Sequence, residues 1–336
     1  MVQLPPLLAL LFSLILFFNC SFWVGKAMGN CGGKINKTIV VDQSGKGEFT
    51  SVQAAIDSIM QDNNQWIKIH VTAGTYREKV EISLYKPCII LEGAGKEVTK
   101  ITYGGHQSDG NWNAAFVSSP PNVIVIGITF ENTFRNSADS HFTEAPAAAI
   151  FGDKSVFFNS GFIGFQDTLL DSNGRHYFKN CYIQGEVDFI YGQGQSYYQD
   201  CKINATQENS PPGFITAQRR QSEKDPSGFV FSGCSVEGSG KVKLGRAYGP
   251  YSRVIFLETY LSSVVSPEGW DPWNFRGFEY RFTYAEVNCT GPGSDTKNRV
   301  KWEKKLSPSE LNEFSLSSFI NHDEWLSRLP PPVTFV

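Results

Sequence analysis

The stretch Val156-Phe-Phe-Asn-Ser-Gly-Phe-Ile163 decides the fold, because its pattern returns twice immediately downstream. It recurs as His176-Tyr-Phe-Lys-Asn-Cys-Tyr-Ile183 and as Ser196-Tyr-Tyr-Gln-Asp-Cys-Lys-Ile203. Each unit reads as a strand, a polar bend and a second short strand. Related segments end at Phe130, Val236 and Leu261, so successive units are spaced 33, 20, 20, 33 and 25 residues apart. Repeats of this length with irregular insertions are typical of a solenoid.

The unit is nearly all β and contains no helix-length segment between its strands. This excludes leucine-rich and ankyrin-type arrays, and a β-propeller would need about twice this spacing. We therefore predict an all-β chain folded as a single-stranded, right-handed parallel β-helix. Cys181, Cys201 and Cys234 hold the same position in their units and should stack on neighbouring coils, where an adjacent pair could be bridged.

Short capping helices are predicted at the two ends of the solenoid. Apolar residues recur at helical spacing between Phe49 and Ile59. Near the C-terminus, Ser307-Pro-Ser-Glu310 is a capping box with proline at the first helical position. Helices at these places would protect the open edges of the sheets.

Composition narrows the class of protein further. The net charge is −3 without a long basic run, so nucleic acid is not an expected partner. The chain holds 31 Gly, 26 Phe and 13 Tyr, which favours strands and turns over helices. The cysteines form no CxxC or Cys/His cluster, so we expect structural cysteines, no metal and no cofactor.

Residues 1–27 read as a signal peptide, and residues 28–336 as a single domain. The apolar run Leu7–Phe18 is short for a membrane span, and Gly25-Lys-Ala27 offers a cleavage site. An uncleaved membrane anchor is the alternative, since a charged segment before the run is absent. Sequons at Asn36, Asn204 and Asn288 are consistent with secretion and a glycoprotein.

Two aspartates stand at equivalent places in adjacent repeats. Asp167 lies in Gly164-Phe-Gln-Asp-Thr-Leu169, and Asp188 lies in Val187-Asp-Phe-Ile-Tyr-Gly192. A carboxylate among aromatic and aliphatic residues has to be paired, protonated or functional, because an unpaired buried charge is costly. Both could simply cap turns of a sheet. Arg246 is a candidate partner cation, and several aromatic rings nearby suit the faces of sugars.

Five motifs in order give the chain a resemblance to pectinesterases (pectin methylesterases) of the plant type, from about Thr38 to Leu326. The motifs are Gly74-Thr-Tyr-Arg-Glu78, Gly152-Asp153, Gly164-Phe-Gln-Asp-Thr-Leu169, Val187-Asp-Phe-Ile-Tyr-Gly192 and Leu244-Gly-Arg-Ala-Tyr248. The resemblance implies hydrolysis of the methyl esters of polygalacturonate, with release of methanol and free carboxylates.

The resemblance also implies roles for individual residues. Asp188 would be the nucleophile, and Asp167 would protonate the departing methanol and then accept a proton from water. Gln166 would donate a hydrogen bond to the oxyanion. Arg246 would hold Asp188 ionised through a two-point contact. The rings of Tyr248, which is usually Trp in the family, Trp270 and Phe189 would line the sugar subsites.

Three features set this chain apart from the family pattern. Glu144 stands where the family has a second oxyanion glutamine, and an ionised glutamate cannot donate. We therefore expect an enzyme that is slowed, shifted to acidic pH, or dependent on Gln166 alone. One family cysteine pair is missing, and the other would be Cys201–Cys234. We also expect a short form without the inhibitor-like N-terminal region.

The resemblance implies a secreted, monomeric protein of the cell wall that binds methyl-esterified pectin, and possible control by a proteinaceous inhibitor. Three other classes of function were weighed. A catalytically impaired pectin-binding wall protein is kept open by Glu144. A pectin depolymerase would need flanking acids or a calcium cluster. A serine hydrolase is disfavoured, because Gly-x-Ser-x-Gly is absent and the five histidines are scattered.

Overall fold

The computed structural model describes residues 31–106, 113–134, 143–206 and 213–331. The chain divides into residues 1–30 and residues 31–336, and every described residue belongs to the second unit. The predicted signal peptide, residues 1–27, lies outside the described residues. In the ranges that are described, no helix combines the length and apolarity needed to cross a membrane.

The described strands form a right-handed parallel β-helix, which confirms the predicted fold. Each coil passes through three parallel sheets in turn, here called sheets 1, 2 and 3. Sheet 1 has ten strands: Ile35–Val41, Trp66–Val71, Ile89–Gly93, Val123–Ile126, Ser155–Phe158, Arg175–Lys179, Gln195–Gln199, Gly228–Ser232, Arg253–Leu257 and Thr283–Val287.

Sheets 2 and 3 have eight strands each, and their strands pair in parallel from one coil to the next. Sheet 2 consists of Gly74–Arg77, Thr99–Tyr103, Thr129–Asn132, Gly161–Ile163, Tyr182–Gly185, Lys202–Thr206, Ser235–Ser239 and Tyr260–Leu261. Sheet 3 consists of Val80–Ile82, Phe116–Ser118, Ala148–Ile150, Leu169–Asp171, Ile190–Gly192, Gly213–Gln218, Val242–Ala247 and Trp270–Asp271.

Stacked rings of sheet 1 run along the interior of the solenoid. Phe178 lies 4.9 Å from Phe157 and 4.5 Å from Tyr198, ring centre to ring centre. The column continues through Phe231 and Phe256. Because the side-chain period of a strand is two, the residues between these rings face outward. The inward-facing rings of the repeat therefore form part of the core, whereas Tyr177 and Tyr197 lie on the outward face.

The polar bends between sheets 1 and 2 turn the chain with left-handed backbone. Asn159, Asn180 and Asp200 have φ angles of 47°, 55° and 53°, and Gly233 has 63°. Asparagine, aspartate and glycine tolerate this conformation better than other residues do. This tolerance explains why the bends recur as Asn-Ser, Lys-Asn, Gln-Asp and Ser-Gly.

The helices at the two ends differ in placement. Helix Val52–Asp57 buries apolar residues at the first coils, as predicted. Helices Pro308–Glu313 and Leu316–Phe319 form, and the predicted capping box at Ser307 is present. However, Phe314 and Phe319 pack on the outward face of sheet 1, and the C-terminal helices lie along the side of the solenoid rather than over its end.

Short 3-10 helices span Trp273–Phe275, Glu279–Arg281, Pro292–Ser294, Thr296–Asn298 and Trp325–Arg328.

The cysteine prediction is partly wrong. Cys181, Cys201 and Cys234 stack in consecutive coils as expected, with the Cys201 amide 3.4 Å from the Cys234 sulfur. Yet Cys201 and Cys234 are free thiols, and the sulfur atom of each also contacts a backbone carbonyl of the preceding coil. A disulfide instead joins Cys31 to Cys88 and ties the start of the described chain to the first coils.

Candidate active site

Asp167 and Asp188 lie one above the other in neighbouring coils. Gln166 bridges to Val187, and Leu169 pairs with Ile190, so the two aspartates share a register position. Each stands in the turn that leads from sheet 2 into sheet 3. Their φ angles are 58° and 49°, a left-handed conformation that aspartate tolerates. The equivalence seen in the repeats is therefore a spatial stack of two carboxyl groups.

The outward face of sheet 3 brings the arginine to this stack. Leu170, Tyr191, Ala217 and Arg246 pair in series and point to the same side. Arg246 lies two coils beyond Asp188, and the intervening Ala217 is small enough to leave room for a long side chain to lie back across it. Strand Val242–Ala247 lies close to strand Gly213–Gln218 at this point, since a Cβ on Gly245 would lie 2.1 Å from the Thr216 hydroxyl.

Arg246 and Asp188 make the predicted two-point contact. The Nε of Arg246 donates to Oδ1 of Asp188 at 2.8 Å and to Oδ2 at 3.1 Å, and Nη2 also donates to Oδ2. Two rings hold the guanidinium: the centre of the Trp273 ring is 3.9 Å from Cζ and that of Phe214 is 4.4 Å away. Cation–π contact adds to the ion pair and fixes the plane of the guanidinium.

The two aspartates differ in their electrostatic surroundings. Burial, followed by the charges of Asp188 and Glu144, raises the pKa of Asp167 well above its usual value, and Arg246 opposes this. Burial also raises the pKa of Asp188, but the hydrogen bonds and charge of Arg246 work against it. Asp167 is therefore the carboxyl that holds its proton more readily, and Asp188 is the one stabilised as an anion.

Gln166 and Glu144 lie on adjoining coils beside this pair. The backbone amide of Ala145 donates to the Gln166 carbonyl at 3.4 Å, which places Glu144 one coil before Gln166. Within the described ranges, Oε1 of Gln166 is buried without a hydrogen-bond partner. Burial, and secondarily Asp188, raises the pKa of Glu144. The site thus gathers three carboxyl groups, one amide and one guanidinium.

Tyr248 alone of the three predicted sugar-contacting rings reaches the surface. Its ring is 39% exposed, and the ring of Trp273 is stacked on it at 5.7 Å. The guanidinium of Arg219 lies 5.2 Å from the centre of the Tyr248 ring. This leaves a partly open aromatic surface beside the carboxyl groups.

Phe189 and Trp270 do not line the cleft, which corrects the expectation that they contact sugars. Phe189 is fully buried and Trp270 is 1% exposed. Trp270 pairs with Gly245 at an inward-facing position, and its ring stacks on Tyr284 at 4.5 Å. Strand alternation turns Trp270 into the core, and Phe189, in the turn before strand Ile190–Gly192, packs in the same core cluster.

Trp273 and Phe214 were not among the predicted site residues. Phe214 shares the register position of Asp188 one coil later, as the pairing of Ile190 with Thr216 shows. Reading this from the sequence would require the length of the insertion between the two coils. Trp273 could have been selected by its place two residues after Asp271, the residue that pairs with Arg246.

The arrangement is suited to acyl transfer. In the described part of the chain, no three histidine, cysteine, aspartate or glutamate side chains come together as a metal site. An anionic carboxylate, a protonated carboxyl and an amide are the nucleophile, acid and oxyanion donor that ester hydrolysis requires.

Comparisons with known proteins agree with this chemistry. The pectinesterase family model matches residues 38–323. Probable pectinesterase 55 of Arabidopsis thaliana is 47% identical over 300 residues, covering 87% of this chain and 91% of that protein. Probable pectinesterase 29 of the same plant is 46% identical over 308 residues, covering 89% and 92%. The structure of pectin methylesterase from carrot superposes with a TM-score of 0.81 at 30% identity, covering 88% of this chain and 96% of that one.

Proposed function

The chain belongs to the pectinesterase family, and on that premise we propose how its aspartates hydrolyse the methyl esters of pectin. The protein is a carboxylic ester hydrolase that acts on methyl-esterified polygalacturonate. The observation that carries the residue assignment is the contact between Arg246 and Asp188, because it selects one of the two stacked carboxyls as the anion.

In the first step, Asp188 attacks the ester carbonyl carbon and forms an acyl–enzyme anhydride. The C–O bond to the methoxy group breaks, and Asp167 gives its proton to the departing methanol. In the second step, water attacks the acyl group while Asp167 takes back a proton. Asp188 is released as a carboxylate, and the substrate leaves as the free galacturonate. The proton of Asp167 is thus restored in each cycle.

Arg246 keeps Asp188 ionised and oriented between turnovers, and Trp273 and Phe214 hold the guanidinium in place. Gln166 donates a hydrogen bond to the oxyanion of the tetrahedral intermediate. Tyr248 offers its exposed ring to a sugar of the bound chain. Glu144 faces the same site and slows the reaction when ionised, since it repels the oxyanion.

We further propose secretion to the cell wall, with residues 1–27 removed as a signal peptide and residues 28–336 acting as one catalytic domain. The exposed side chains of Asn36 and Asn288 are suitable sites for glycosylation. The substrate-binding form is taken to be a monomer, and a proteinaceous inhibitor would act by covering the cleft.

The test is methanol release from highly methylated pectin over about pH 4 to about pH 8, with wild type and Asp188→Ala side by side. Wild type is expected to release methanol, and the variant to lose at least roughly 10,000-fold in rate. A variant of near wild-type rate would overturn the assignment of the nucleophile. Pectin binding without methanol release by wild type would indicate a binding protein instead, and shortened uronide chains would indicate a depolymerase.

A further inference from the structure

The hydroxyl of Tyr191 is buried at the site without a use in the reaction described above. Tyr191 lies on strand Ile190–Gly192 and is 6% exposed. Within the described ranges, its hydroxyl oxygen has no hydrogen-bond partner. Leaving a buried polar group unpaired destabilises the folded state. A phenylalanine would fill the same space without that cost, so the retained hydroxyl calls for a functional reason.

The surroundings of this hydroxyl are those of the candidate site. Burial raises the pKa of Tyr191 well above its ordinary value, and the charges of Asp167, Glu144, Tyr248 and Asp188 raise it further, in that order. The phenol therefore stays protonated and remains a donor wherever the two aspartates work. These four neighbours lie on four different coils, and Tyr191 occupies the outward column between Leu170 and Ala217.

The site has many acceptors and few donors. Asp188 and Glu144 accept hydrogen bonds when ionised, and Arg246 turns its Nε and Nη2 towards Asp188. The amide of Gln166 is one neutral donor at the aspartates, and the Tyr191 hydroxyl is another that is already withdrawn from water. A donor held in such a place acts more strongly on developing charge than one in water does.

We propose that the hydroxyl of Tyr191 is a catalytic donor that binds the oxyanion of the tetrahedral intermediate beside Gln166. It supplies a hydrogen-bond donor to the oxyanion, which an ionised Glu144 cannot do. This inference rests on the proposed function, because the oxyanion arises only when the ester carbonyl is attacked. No bond to the substrate is made or broken by Tyr191, and its proton stays on the phenol.

The test is the Tyr191→Phe protein, which removes only the hydroxyl. The expected result is a fall in kcat of roughly tenfold to 100-fold on methylated pectin, with KM changed by less than about twofold. The midpoint of thermal unfolding should not fall, because the lost group had no protein partner. A purely structural role would give the opposite pair of results, an unchanged kcat and a lowered midpoint.

Tyr177→Phe is the matched control. The hydroxyl of Tyr177 donates to Gln199 at 2.6 Å on the outward face of sheet 1, away from the aspartates. This variant should keep its kcat. If wild type releases methanol and Tyr191→Phe retains full kcat, the inference is overturned while the proposed function stands. If wild type itself is inactive, the proposed function fails first.

Discussion

Two buried acid–arginine pairs in this molecule look alike but are satisfied differently. Near the C-terminal end, Nε of Arg299 donates to one oxygen of Glu286 at 2.6 Å and Nη2 donates to the other at 2.9 Å. The remaining donors of Arg299 reach backbone carbonyls, including Pro267 at 2.9 Å. At the site, Arg246 is held by two aromatic rings, and no hydrogen bond within the described ranges reaches the carboxyl of its neighbour Asp167.

The difference separates a structural pair from a functional one. A pair whose donors and acceptors are all occupied has nothing left to offer a substrate, and it holds two segments together. A carboxyl that is buried without a partner costs free energy in the folded state. Asp167 and the hydroxyl of Tyr191 are of the second kind, and both lie within reach of the Arg246–Asp188 pair. The donors of Arg299 are thus occupied within the scaffold, whereas Asp167 and the Tyr191 hydroxyl remain available at the site.

Asp167→Asn should give the largest effect. Loss of the general acid lowers kcat by about 100-fold to 10,000-fold in methanol-release assays. The same change should stabilise the fold at neutral pH, raising the unfolding midpoint by about 2 °C or more. The reason is that the buried carboxyl, whose pKa is raised, no longer has to take up a proton or carry an unpaired charge in the folded state.

The pH dependence of stability shows whether the Asp167 carboxyl stabilises or destabilises the fold. The folded protein holds the Asp167 proton to higher pH than the unfolded chain does, because burial raises the pKa. The contribution of this group is complete below the unfolded pKa of about 3.9 and is lost as pH rises through the folded pKa. The gain in Asp167→Asn should therefore appear above that pH and vanish in acid. A variant that is less stable than wild type at neutral pH would show that Asp167 is a structural residue.

Arg299→Met should lower stability and leave kcat unchanged, the reverse of the effects of Asp167→Asn. Breaking the buried pair leaves Glu286 uncompensated and lowers the free energy of unfolding by about 3–5 kcal/mol, measured by denaturant titration. The kcat of the folded fraction should equal that of wild type, because Arg299 lies outside the candidate site. Should kcat fall while stability holds, the distinction between the two pairs would be lost.

Glu144→Gln should give the smallest effect, and it sharpens the description of the site. An amide donates at every pH, so the plateau of kcat is expected to rise by roughly tenfold. The loss of rate that accompanies ionisation of Glu144 should disappear, and the remaining fall at high pH should follow the pKa of Asp167, which the Glu144 charge no longer raises. A pH–rate profile measures both changes. The role given to Glu144 is wrong if the variant is no faster than wild type at any pH.

The sequence by itself determined the solenoid and the position of the carboxyl stack. Side-chain alternation and bends are local properties, so the repeat predicted two strands and a polar bend in each coil. The third strand of each coil, in sheet 3, was not predicted. The aligned repeats ending at Ile163 and Ile183 are one residue out of register, because Phe162 pairs with Ile183. The observed offset of 21 residues is the one that places Asp167 over Asp188. The sequence also identified Glu144 as a departure from the family pattern.

The tertiary structure alone decided which distant groups meet. Phe214 and Trp273 follow insertions of unequal length, so their registers against Asp188 depend on how each insertion closes, whereas the contact of Arg246 with Asp188 was implied by the family resemblance. The inward turn of Trp270 and the free thiols of Cys201 and Cys234 were likewise set by side-chain direction, which the repeat spacing does not specify. The local sequence pattern determines the coils. The site is determined by contacts between coils, and these contacts depend on the packing of the whole stack.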